Sequence, residues 1–184
     1  MSSIPGSWPG LVNRHKQASS EIQDYYQHLP NLLERFPYDV SLSYLFARIE
    51  QAQNITLYCG IVKLHQGHSA LTRSVVQQER LTRSSFREKF EIIFGKPITK
   101  SIDDKLKDAQ GIRDKALHGK AVSDPDMRKA IIRILEFSER FNEYVESLAG
   151  FRPFGKLTGY KGRATSLSKS TTRWILKGMG FNVS

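Results

Sequence analysis

SLSYLFARIEQAQNITLYCGIVKLHQ, residues 41–66, carries apolar side chains at three- and four-residue steps along its whole length. Leu42, Leu45, Ile49, Ala52 and Cys59 form one stripe, and Ile55, Tyr58 and Val62 widen it to a second side. That is the period of a helix and not of a strand. A helix apolar on more than one side needs neighbours on more than one side, so this segment is the expected central helix of a bundle.

The flanking sequence repeats the pattern. Ala18, Ile22, Tyr25 and Leu29 predict a first helix from about Val12 to Leu29, interrupted by Pro30; Pro30 and Pro37 leave only a turn or a short helical piece before Tyr38. A third helix is expected from Ser69 to Phe94, through Leu71, Val75, Phe86, Phe90 and Ile93, and Gly95 followed by Pro97 is an ordinary stop. A fourth opens near Ser101, whose hydroxyl can cap it, and carries Ile102, Leu106, Ala109 and Leu117 to Gly119. A fifth starts at Ser123 or Asp124, with Pro125 suited to its first turn, and runs to Gly150. No alternating strand pattern competes, and the expected fold is an all-α, up-and-down bundle of four to five antiparallel helices.

The domain reading that follows is a flexible leader over 1–10, a helical bundle over 11–150, and a Gly/Ser/Thr-rich basic tail over 151–184 with a short helix at 170–177. The chain has 184 residues, 28 basic and 18 acidic, for a net charge of +10. Seven of the basic residues and none of the acidic ones lie from Arg152 to Ser184. Attraction to polyanions is therefore concentrated in the tail. Phe151, Phe154, Trp174, Ile175, Leu176 and Phe181 are too apolar for a purely solvated extension, so docking and disorder stay equally open.

No segment is long and apolar enough for a membrane span, and the first residues lack the pattern of a signal peptide, so a cytoplasmic, membrane-free protein is expected. The single Cys59 reads as an inert core thiol. His65 and His68 read as a solvated turn, and Arg73, Arg80, Arg83 and Arg87 as a solvated helix face. The five His lack metal-ligand spacing, and neither a metal nor another cofactor is expected.

Chemistry gathers in GIRDKALHGK, residues 111–120. Arg113 falls about 20° from the centre of the apolar stripe of Ile102, Leu106 and Ala109. A guanidinium there must snorkel, meet a buried carboxylate or face a groove. Asp114 and His118 are one helical step apart, and both that carboxylate and the negative end of the helix favour a protonated imidazole, suited to a general acid or a phosphate-binding cation. The plainer explanation is that helix ends carry Lys, Arg and His to complement the dipole.

The motif Arg113-Asp114-Lys115-Ala116-Leu117-His118 resembles that of the HEPN superfamily, in which a helical bundle presents Arg, four to six residues, then His. It fits the four-residue version, falls between the third long helix and the last one as the family's motif does, and the resemblance spans about residues 11–150. It implies a metal-independent endoribonuclease of the toxin or defence kind, working as a homodimer on RNA, with an antitoxin or regulatory protein as a further partner. On that resemblance Arg113, Asp114 and His118 are catalytic. Lys115, Lys120, Lys161, Arg163, Arg173 and Trp174 are the expected RNA contacts, the tail holding phosphates while Trp174 stacks on an unpaired base. Arg113 and His118 lie about 140° apart on a regular helix, so either the helix loosens before Gly119 or two copies bring both motifs to one cleft. The alternative is a non-catalytic module that binds a nucleotide, RNA or protein; a small-molecule regulator would instead show a deep apolar pocket.

Overall fold

The computed structural model describes residues 4–161 and 165–183, and among them the chain is all-α: nine helices and no strand. In order these are α1 Trp8–Lys16, α2 Ser20–Tyr25, α3 Leu29–Arg35, α4 Tyr38–His65, α5 Ser69–Gln78, α6 Arg83–Phe94, α7 Lys100–Leu117, α8 Asp124–Ala149 and α9 Lys169–Gly178. No helix of the described residues is long and apolar enough to cross a membrane.

Contacts divide the chain into two compact units. The first holds α1 to α3, α4 up to Ile49, α7, α8 up to Tyr144 and the turn Phe154–Lys156. Its core is aromatic: Phe154 packs edge-on against Tyr25, Phe137 and Phe141. The Asn142 carboxamide donates to the Phe154 carbonyl and accepts from its N–H, both at 2.8 Å, which satisfies a buried stretch of backbone outside any helix. Tyr26 and Ser138 share a buried hydroxyl bond of 2.8 Å.

The second unit holds the rest of α4, α5, α6, the end of α8 and α9. Leu57, Ile61, Val75, Val76, Phe86, Phe90, Ile93, Leu176, Met179 and Phe181 are buried there. α5 packs against α9. Of the tail residues left open by sequence, Phe151, Phe154, Leu176 and Phe181 are buried and Ile175 is half-buried, whereas Trp174 is exposed.

The helices are more numerous and shorter than the periodicity implies. The expected helix from Val12 to Leu29 is two, α1 and α2, because Ser19 is turned into extended backbone at the start of α2 and both its N–H and its hydroxyl donate to the Glu139 carboxylate of α8, at 2.6 and 3.0 Å. α1 begins at Trp8, inside the segment read as a leader, with Pro9 in its first turn and Arg14, His15 and Lys16 in its last. Pro30 does not interrupt a helix but sits in the first turn of α3.

The expected helix from Ser69 to Phe94 is also two. Thr82 and Ser85 form a capping box, with Ser85 N–H donating to Thr82 Oγ1 at 3.1 Å and Thr82 N–H to Ser85 Oγ at 2.9 Å. Thr99, not Ser101, occupies the cap position of α7, without a side-chain bond. The stops at Gly95 and Gly150 and the helix near 170–177 fall where the sequence places them.

Candidate functional site

α7 presents Ile102, Leu106 and Ala109 to the core of the first unit, and Arg113 continues that face one turn further on. Its side chain is half-buried, and the guanidinium carbon stands 4.9 Å from the ring centre of Phe46, a buried residue of α4. The aromatic face lowers the cost of withdrawing the cation from water. Nη1 lies 3.8 Å from the Asp114 carboxylate, a loose ion pair, and the buried Nε has no hydrogen-bond partner. Of the three options read from sequence, the guanidinium takes the snorkelling one, laid over an aromatic floor.

The end of α7 fixes His118. Gly119 N–H donates to Ala116 O and Lys120 N–H to Lys115 O, at 3.1 and 3.0 Å, with Gly119 left-handed at φ 68°. These are the two crossed bonds of a Schellman turn, with His118 as the cap residue. His118 N–H still reaches Asp114 O at 3.1 Å, so the helix stays regular up to the imidazole. It does not loosen, and the divergence of Arg113 and His118 stands. The His118 side chain is exposed and makes no hydrogen bond or ion pair among the described residues. Asp114 spends its carboxylate on Arg113 rather than on His118. Lys115 and Lys120 are exposed beside the imidazole in the chain.

The remaining expected RNA contacts lie elsewhere. Lys161 is exposed; Arg163 lies outside the described residues. Arg173 and Trp174 are exposed on α9 of the second unit, Trp174 at 79%.

His65 and His68 are not a solvated turn. The His65 Nε2 bonds the Ile93 carbonyl at 2.8 Å, and the His68 Nδ1 accepts from Leu71 N–H at the start of α5. Both imidazoles hold backbone in place. Arg73 lies over the Tyr58 ring at 5.2 Å. Arg80 falls in the break between α5 and α6, so it shares no helix face with Arg83 and Arg87. Cys59 is buried, and burial pushes its thiol up to about 12 against the opposing pull of Lys63 and Arg73, which makes it a poor nucleophile.

A second cationic surface of the first unit was missed in the sequence. Lys105 bonds Glu136, Arg133 reaches the same carboxylate at 3.3 Å, and Arg14 stands 3.9 Å away. Partial burial pushes the Glu136 pKa up, but the hydrogen bond and charge of Lys105, then Arg133, hold it below the ordinary range. Lys129 and Arg140 line the same groove. The spacing of Lys129, Arg133, Glu136 and Arg140 on one face of α8 is the signal that would have found it. Four open concave surfaces mix charged or amide side chains with apolar ones, as where Trp8 and Phe36 meet Glu34, Asp39 and Asp124.

No family model matches the chain, and no curated protein or solved structure matches it.

Proposed function

We propose that the chain is a metal-independent endoribonuclease of HEPN type, of the toxin or defence kind, acting in the cytoplasm as a homodimer. The observation that carries this reading is the state of Arg113. A guanidinium seated on Phe46, with an unpartnered Nε and one loose carboxylate neighbour, precedes by five residues a solvent-facing imidazole pinned by a Schellman turn. A purely structural arginine would be expected to give its buried Nε a protein acceptor.

In the proposed reaction a ribose 2′-hydroxyl attacks the adjacent phosphorus, and the bond to the 5′-oxygen breaks, leaving a 2′,3′-cyclic phosphate and a 5′-hydroxyl. His118 takes or returns the proton that moves between these oxygens. Arg113 neutralises charge gathering on the phosphoryl oxygens, and Asp114 holds the guanidinium in register. Lys115 and Lys120 draw the strand in. Because Arg113 and His118 diverge within one chain, the reading requires two copies whose motifs share one phosphate.

That same divergence favours a second reading, a non-catalytic module in which a lone chain uses Arg113 only to bind an anion. Incubation of the purified chain with mixed RNA in chelator separates the two. Cleavage by the wild type, lowered about a hundredfold or more in His118→Ala and Arg113→Ala, is the expected result. Equal cleavage by all three removes these residues from the mechanism, and RNA binding without cleavage leaves the binding module.

A further inference from the structure

α9 breaks a local rule of helix design. Lys169, Arg173 and Lys177 follow one another at four-residue steps on a ten-residue helix that contains no acidic residue. Like charges in that register repel and weaken a helix. None of the three has an ion pair among the described residues, and all are exposed. One position on, in the neighbouring row, stands Trp174, 79% exposed. Lys177 stands in the last turn, where the helix dipole favours a cation, but Lys169 and Arg173 have no such return, and the indole beside them is left far in water.

The opposite side of α9 is anchored. Thr172 and Leu176 are buried, and Thr172 Oγ1 accepts from His68 N–H at 2.9 Å. Leu167 N–H donates to Gln66 O at 2.8 Å just before the helix, and Ser168 caps it through Thr171 N–H at 3.1 Å. Beyond it Phe181 is buried with Lys89 5.1 Å from its ring. The outer face is therefore held ready rather than ordered on binding.

Charge and shape identify the occupant. A helix that lies on a membrane needs a free apolar face, whereas the apolar face of α9 is already used in the core and only one large side chain is left outside. One aromatic plate beside a row of cations about 6 Å apart is instead what a single nucleic-acid strand uses: a π-face for an unpaired base and donors for successive phosphates. The adjoining groove on the outer side of α5, lined by His68, Arg73, Ser74, Gln77 and Ser166, contains no carboxylate among the described residues, so nothing there repels the strand.

We propose that α9 is a single-strand nucleic-acid platform, with a base stacked on Trp174 and the backbone tracked by Lys169, Arg173 and Lys177. It lies in a different unit from Arg113 and His118, and it does not rest on the cleavage reading.

The test uses the full chain and a labelled short oligothymidylate, which lacks the 2′-hydroxyl and is not cut by the proposed chemistry. Fluorescence anisotropy over a salt series is expected to show binding that Trp174→Ala weakens about tenfold or more, while Trp174→Phe keeps most of it. Arg173→Ser with Lys177→Ser is expected to weaken binding and flatten its salt dependence. All three changes are on the exposed face, and circular dichroism checks that the fold is kept. Unchanged affinity in Trp174→Ala overturns the platform, as does a duplex that binds as tightly as the single strand. Binding to anionic phospholipid vesicles, lost in Trp174→Ala and without any affinity for the oligonucleotide, overturns it in favour of a membrane. A chain that binds oligothymidylate through Trp174 but cuts no RNA overturns the nuclease and leaves the platform standing.

Discussion

Buried His15 is a base that the fold keeps neutral. Desolvation lowers its pKa, against a smaller upward effect of a backbone hydrogen bond at Gln23, and its Nε2 has no partner. An unfolded histidine titrates near about 6.5, so the unfolded chain takes up this proton first. The contribution of His15 is therefore complete above that pH and is lost as the pH falls towards the lower folded value. Urea unfolding of the wild type should show a midpoint that declines below about pH 6.5, and His15→Gln should flatten that part of the profile. Identical slopes in the two proteins would assign the acid sensitivity elsewhere. Single residues also differ in how much of their setting is local. Arg113 was legible as an anomaly because helical periodicity alone puts it on an apolar face. Its floor, Phe46, was not, since a cation over a ring joins two helices far apart in sequence. Nor does anything local separate buried His15 from its exposed neighbour Lys16.

Helix ends divide along the same line. Gly95, Gly119 and Gly150 were readable as stops, because a left-handed residue is a local demand that glycine meets without steric cost, and all three take it. The breaks at Gln17–Ser19 and at 79–82 were not. The first is made by a carboxylate on α8, and the second by a capping box set inside an apolar period that runs on through Leu71, Val75, Phe86 and Phe90. At the end of α7 the local demand is testable alone. A Cβ on Gly119 would meet no atom within 4 Å, so a side chain there costs only backbone conformation. Gly119→Ala should lower the unfolding free energy by about 1 kcal/mol, and Gly119→Asn by less, because asparagine tolerates the left-handed region. Denaturant midpoints measure both. An alanine variant as stable as the wild type would mean that the Schellman turn does not hold His118.

Net charge and copy number belong to the entire chain. The excess of basic residues was plain in the composition and predicts salt-sensitive attraction to polyanions. Copy number is not written in a single sequence, because a twofold contact is made of surface that serves equally well to meet water. It is nonetheless where the cleavage reading is most exposed to test. With α7 regular to its cap, Arg113 and His118 of one chain leave the helix about 140° apart, and a shared cleft must take at least one of them from each copy. Arg113→Ala and His118→Ala homodimers would each lack one kind of group altogether. Equilibrated together in equal amounts, they would form mixed dimers in about half the population, each holding one intact guanidinium and one intact imidazole at the cleft. Two preparations that fail separately should then cut RNA when combined, at about a quarter of the wild-type rate if each mixed dimer has half the groups of the parent. Native mass spectrometry with one of the two variants isotopically labelled establishes that the mixed species has formed. Silence from a mixture in which it has formed would mean that the groups never meet across copies, and a chain that stays monomeric at every concentration would exclude a shared cleft outright.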